Sequence, residues 1–169
     1  QCIHGFDLMR LFGGEEIVEV SGHIANRTHP YLEVEDVGVG YVRFADGTIG
    51  TFEGTTSLYE RNLEERITLI GETGTVVLAG ESAQDIEVWH FKDPEVMALL
   101  DHFNPPPTDS VYGNSHRRVY HLFKEAWEKK GPLALDGRCG KRAMELVLAI
   151  YKSHRERGPV SLPLDSFST

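Results

Sequence analysis

The sequence predicts an α+β fold: a largely antiparallel sheet of about six strands, covered by helices on one face. Three observations carry that expectation. Between residues 16 and 91 the chain falls into short β-rich runs joined by Gly- and Asp-containing turns, the signature of strands linked to their neighbours. After Asn104-Pro105-Pro106-Pro107, which continues no regular element, the spacing of apolar residues becomes helical. A single helical pattern precedes the strands, so helices and strands are segregated rather than alternating.

The elements follow in order. In residues 3–12 the apolar side chains Ile3, Phe6, Leu8, Met9, Leu11 and Phe12 recur at helical spacing, and Gly13-Gly14 end the pattern as a helix end prefers. Residues 16–27 alternate, with Val18, Val20, Gly22 and Ile24 on one side and Glu19, Ser21, His23 and Arg27 on the other. Residues 35–44 and 48–59 are β-rich and joined by Ala45-Asp46-Gly47, a strong hairpin signal. Shorter strands are expected over 66–70, 75–78 and 86–91. Asn114 or Ser115 offers a cap to a helix whose inner face carries Tyr120, Phe123 and Trp127, and Asp136 precedes another bearing Ala143, Leu146, Val147, Ile150 and Tyr151. Gly158-Pro159 is expected to stop it.

The 169 residues suit one domain over 1–169 with its own core. A net charge of -9 argues against nucleic acid as a partner, because a phosphate backbone needs a surplus of Lys and Arg on one face. The two cysteines, Cys2 and Cys139, offer neither a disulfide framework nor a four-thiolate metal site. No apolar run approaches the roughly 20 residues of a membrane helix, and a cytoplasmic location is expected.

Several motifs have a functional and a structural reading. GETGTVVLAG at 71–80 lacks the Lys-Ser/Thr of a phosphate loop and reads as a turn between strands. Gly38 and Gly40 lie within a strand and lack the third glycine and helix of a dinucleotide site, so close approach to the sheet explains them better. His116 and His121 have no third ligand at metal spacing, and no metal is expected; His116 is placed to point inward at a helix start. Arg27 and His29, donors at the end of a strand, stand close to Glu33, Glu35 and Asp36, either as a solvated acidic loop or as a set that holds a polyhydroxylated ligand. His4 and Asp7 share a helical face at i, i+3, as an imidazole with its orienting carboxylate or as a surface pair.

Five stretches taken together, IHGFDLMRLFG, EVEDVGVGYVRFADGTIGTFEGTTSLY, ERITLIGETGTVVL, HRRVYHLF and LDGRCGKRAMELVLAIYKSHRERGPVSLP, resemble the carboxy-terminal domain of the Gfo/Idh/MocA family of NAD(P)-dependent oxidoreductases. The resemblance covers nearly the whole chain. It implies a sheet that floors the substrate site and serves the homo-oligomer interface, beside an amino-terminal Rossmann domain that holds the nicotinamide. It also implies that His4 carries the catalytic proton to or from a hydroxyl of a sugar or cyclitol-like substrate, and that Asp7, Arg27, His29, Glu35, Tyr59 and His116 are candidate substrate contacts. The acidic residue four positions before His4, the Rossmann glycines and the family's Glu-Lys-Pro do not occur in these residues. The expectation is therefore a carboxy-terminal half, inactive by itself and without its own cofactor. The alternative is a free-standing dimeric module that binds a ligand without chemistry.

Overall fold

The computed structural model describes residues 2–14, 16–103, 116–133 and 136–165. They form two compact units, one of Gln1–Tyr59 with Leu135–Thr169 and the other of Glu60–Ala134.

The first unit contains α1 (Ile3–Gly13), β1 (Ile17–Ala25), β2 (Val37–Phe44), β3 (Ile49–Thr55), α4 (Gly137–Glu156) and the two-residue β7 (Val160–Ser161). The strands form one antiparallel sheet in the order β3-β2-β1-β7. The expected hairpin is present: Gly47 takes a φ of 93°, the left-handed region open to glycine, and Asp46 accepts from the Thr48 amide at 2.9 Å. Val20 pairs with Val42 and Val42 with Gly50, so these residues share a face. On it Ile17, Val20, Val42 and Phe44 pack with Leu146, Ala149 and Ile150 of α4 and with Val160. Phe6 and Met9 of α1 join the edge of that core, and Phe6 meets Phe52 edge to face at 5.1 Å. The helices lie on one face, as the sequence predicts. The opposite face carries Ser21, His23, Val39, Tyr41 and Arg43, and Glu19 on it accepts from Arg43 at 3.1 Å and from the Tyr41 hydroxyl at 3.4 Å.

Asp136 caps α4 by accepting from the Arg138 and Cys139 amides. The helix ends one residue earlier than Gly158 suggests: Arg157 itself takes the left-handed conformation, and its amide bonds Ser153 O. Gly40 confirms the close-approach reading of its motif, since a Cβ there would strike the Phe52 ring and Ser21 O.

The second unit contains β4 (Ile67–Gly71), β5 (Gly74–Ala79), β6 (Asp85–Phe91), α2 (Pro94–Ala98), a 3-10 turn over Leu99–His102 and α3 (His116–Lys129). Its antiparallel sheet has the order β4-β5-β6, and Glu72-Thr73 form the β4–β5 turn, as the structural reading of GETGTVVLAG requires. The short α2 escapes the sequence pattern. It is set by Asp93, which accepts from the Glu95 amide, by Pro94 in its first turn, and by the Trp89 indole, which donates to Val96 O at 3.0 Å.

Three expectations are corrected. The described strands form two sheets, of four and three strands, and not one of about six. The run 48–59 is strand only over Ile49–Thr55: the Thr56 amide still bonds Asp36 O at 2.9 Å in the same register, and the next amide, that of Ser57, turns to Thr55 Oγ1 at 2.9 Å. Tyr120, Phe123 and Trp127 are not on a buried face: they are 73%, 55% and 77% exposed. The Asn104–Pro107 break and the Asn114 or Ser115 cap lie outside the described residues.

Candidate functional site

One end of the first unit's sheet gathers most of the candidate residues. The end of β1, the start of β2 and the end of β3 lie side by side there, with Ala25 opposite Val37 and Val37 opposite Thr55. The start of α1 sits over the same end: a Cβ on Gly54 would run into Cys2 Sγ, so glycine is what allows the helix so close. Cys2, Phe6 and Met9 face the sheet. His4 lies off that stripe and is exposed. Asp7, which its spacing offers to His4, accepts instead from Arg10 Nη1 at 2.9 Å, a partly exposed i,i+3 pair worth a few tenths of a kcal/mol.

The centre of this sheet end is Asp36. It is 2% exposed and accepts from the Arg27 amide at 2.8 Å, the Thr28 amide at 2.7 Å, the Thr28 hydroxyl at 2.9 Å and the His29 amide at 3.1 Å. His29 Nδ1 stands 3.0 Å from Asp36 Oδ2. Burial raises a carboxyl pKa, but here the amides of Thr28 and Arg27, the Thr28 hydroxyl and His29 outweigh it and hold Asp36 well below the usual carboxylate range. Asn26 fixes the remainder of the loop, with Nδ2 donating to the carbonyls of His29, Leu32 and Val34 at 2.8, 3.0 and 2.9 Å. Thr28 Oγ1 lies 2.6 Å from Ser57 Oγ, which ties the loop to the segment after β3. With Nδ1 on Asp36, the nitrogen His29 leaves for a ligand is Nε2, and Tyr31 stands edge-on to the ring at 5.6 Å.

Glu35 accepts from the Tyr151 hydroxyl of α4. Burial, with the adjacent Glu35 carboxylate second, pushes the Tyr151 hydroxyl up to about 12. Arg27 contributes its amide to Asp36, and its side chain is exposed. Tyr59 ends the first unit's leading segment and is 87% exposed. His116 opens α3 in the second unit. The structure thus brings Arg27, His29 and Glu35 to one sheet end with the start of α1. Sequence reasoning grouped Asp36 with Glu33 and Glu35, either as a solvated acidic loop or as part of a ligand-holding set, and did not single it out. The signal that separates it is local: Asn26 and Thr28 are residues that bond neighbouring backbone, and a carboxylate entering an apolar strand needs such donors.

The chain also matches the family model described as oxidoreductase family, C-terminal alpha/beta domain, Gfo/Idh/MocA type, over residues 1–162. The chain belongs to this family. Among solved structures it is similar to the WlbA dehydrogenase from Chromobacterium violaceum in complex with NADH and UDP-GlcNAcA, at 31% identity and a TM-score of 0.81 over 98% of this chain and 46% of that one. The Bordetella pertussis WlbA dehydrogenase, in the same kind of complex, shares 28% identity with a TM-score of 0.78 over 98% and 44%. Levoglucosan dehydrogenase with NADH and levoglucosan, at 20% identity and a TM-score of 0.78 over 96% and 49%, shares the fold. No curated protein sequence matches the chain. The chain spans less than half the length of these dehydrogenases.

The described residues do not form a Rossmann site for a dinucleotide. Every strand pairing among them is antiparallel, whereas the pyrophosphate site of a Rossmann unit needs a parallel βαβ with a glycine turn at the helix start. Among the described residues no group of His, Cys, Asp and Glu is arranged to hold a metal, and no helix is long and apolar enough to cross a membrane.

Proposed function

We propose that this chain is the substrate-binding and oligomerisation part of a cytoplasmic NAD(P)-dependent dehydrogenase that acts on a hydroxyl of a sugar or cyclitol-like substrate, with the nicotinamide held by a Rossmann domain that these residues do not include. The observation that supports the reading is the family match over residues 1–162; His4 is exposed on α1, which starts over the sheet end where Arg27, His29 and Glu35 gather. The two WlbA complexes, with NADH and a nucleotide-linked sugar acid, support a nicotinamide and a polyhydroxylated substrate. The chain's own share is then the proton and the substrate. His4 takes the hydroxyl proton, a task suited to a side chain whose ordinary pKa is about 6.5. Asp7, His29, Glu35, Tyr59 and His116 are candidate substrate contacts, with Arg27 as a cationic donor. The uncovered face of the first unit's sheet, with Val39 and Ile49 exposed on it, is the surface for a second copy.

The test starts with the coding sequence upstream of Gln1. If it encodes a glycine-turn βαβ unit, the longer protein is expected to reduce a nicotinamide with a sugar-type alcohol. His4→Ala is then expected to lower turnover by about 100-fold or more, the ordinary contribution of an acid–base group, with cofactor affinity unchanged. Unaltered turnover removes His4 from the mechanism. A start codon within a few residues favours the ligand-binding module.

A further inference from the structure

The sheet end under the start of α1 offers two imidazoles to a ligand, and the fold treats them differently. His4 is exposed, and Asp7, the carboxylate one turn away, is engaged by Arg10. His29 is held at its amide, its carbonyl and one ring nitrogen. The amide donates to Asp36 Oδ2 at 3.1 Å, the carbonyl accepts from Asn26 Nδ2 at 2.8 Å and from the Leu32 amide at 2.9 Å, and Nδ1 stands 3.0 Å from Asp36 Oδ2. Asp36 is fixed in turn by the sheet. Its amide donates to Ala25 O at 3.0 Å, and its carbonyl accepts from the Thr56 amide and from Thr55 Oγ1, both at 2.9 Å. Restraint therefore runs from β1 and β3 through Asp36 to the His29 ring.

The chemistry of Asp36 decides which ring nitrogen carries the proton. The carboxyl is ionised at neutral pH, because its donors hold it below the usual carboxylate range, and an ionised carboxylate only accepts. A bare Nδ1 would set two lone pairs 3.0 Å apart, beside a carboxylate that is 2% exposed. Thr28 Oγ1 lies 3.1 Å from the same nitrogen, but Ser57 Oγ at 2.6 Å and Asp36 Oδ2 at 2.9 Å are closer claims on its one proton. The neutral ring thus keeps its proton on Nδ1 and its lone pair on Nε2. We propose that Asp36 is a positioning residue that fixes this tautomer, so that His29 Nε2 acts as an acceptor and selects a hydroxyl of the ligand over a phosphate or carboxylate oxygen. The choice of hydroxyl rests on the reading of this sheet end as the substrate site; the tautomer does not.

The test is histidine nitrogen NMR on the 169-residue chain at about pH 8, above the ordinary His pKa of about 6.5. His29 is expected to show a protonated Nδ1, with its proton far downfield and slow to exchange, and an unprotonated Nε2. Asp36→Asn removes the charge from that hydrogen bond and is expected to move the Nδ1 proton upfield and speed its exchange. Thr28→Val loosens the loop but keeps the carboxylate, and is expected to leave the Nδ1 proton where it is. Two probes then address the ligand: myo-inositol is expected to shift His29 Nε2 saturably, and sulfate, which has no proton to donate, is not. A proton on Nε2 in the parent chain overturns the proposal, as does an Nδ1 proton that Asp36→Asn leaves unmoved or that Thr28→Val moves equally. Saturable binding of sulfate at Nε2 overturns the choice of hydroxyl. The expected tautomer with no response to inositol counts instead against the substrate-site reading on which that choice rests.

Discussion

The two units bury their apolar residues in different ways. In the first, strands and helices supply one cluster: Val20, Val42 and Phe44 of the sheet close on Leu146, Ala149 and Ile150 of α4. In the second, the buried apolar residues among those described are Val76, Val77 and Ala79, all on the central strand β5. Its longest helix, α3, leaves Val119, Tyr120, Phe123 and Trp127 exposed. A helix gains most of its stability from packing an apolar stripe rather than from intrinsic propensity. The first unit therefore holds the means of its own folding, whereas the apolar stripe of α3 stays in water.

The largest expected effects break this contrast at its core. Phe44→Ala removes a ring that is 2% exposed and lies beside α1 as well as α4, and is expected to cost about 3–5 kcal/mol of unfolding free energy. Val77→Ala, at 8% exposure, removes two carbons at about 0.8 kcal/mol each before any cavity term and is expected to cost about 2 kcal/mol. Urea unfolding of both variants measures the difference. Equal losses would mean that β5 has a core as well packed as that of the first unit.

Asp36 sharpens the comparison through pH. Its folded pKa lies below the usual 3.9 of an unfolded Asp, so between the two values the unfolded chain binds more protons and stability rises with pH. The contribution is complete above about pH 4 and is lost as the pH falls toward the folded pKa. Urea midpoints between about pH 5 and 2.5 are expected to fall steeply for the parent chain. Asp36→Asn is expected to be less stable at neutral pH, because its amide cannot accept all the donors of the loop, and to lose that steep acid limb. An unchanged limb would assign it to other carboxylates.

Much of the first unit was legible in the sequence for the same reason that it is well packed. Val20, Val42 and Leu146 obey the period of their element, and the Asp-Gly turn and the Asp136 cap are local chemistry that needs no tertiary partner. The family resemblance was also legible, because the stretches that carry it are contiguous in sequence. Asp36 was not singled out, although Asn26 and Thr28, residues that bond neighbouring backbone, were a local signal for the loop whose amides it accepts. The contact between His23 and His154 escaped too, because the two are 131 residues apart in sequence and meet only through the edge of β1. The burial of α3 failed differently. A 3.6-residue period shows that a helix has an apolar face, and says nothing of what covers that face.

The smallest expected effect bears on that last point. Trp127 is 77% exposed, so Trp127→Ser removes little buried area and is expected to change the stability of the 169-residue chain by less than about 0.5 kcal/mol. Trp89, whose indole donates within the second unit, is the only other tryptophan, so the emission lost on substitution belongs to Trp127 and is expected to be that of a solvent-exposed indole. If the chain is part of a longer protein, as proposed, the same substitution there supplies the contrast. If the stripe of Tyr120, Phe123 and Trp127 is covered there, the emission of Trp127 moves to the blue and its loss becomes costly. If it stays red and the cost stays small, the exposed aromatic face belongs to the unit itself and not to its separation from a neighbour.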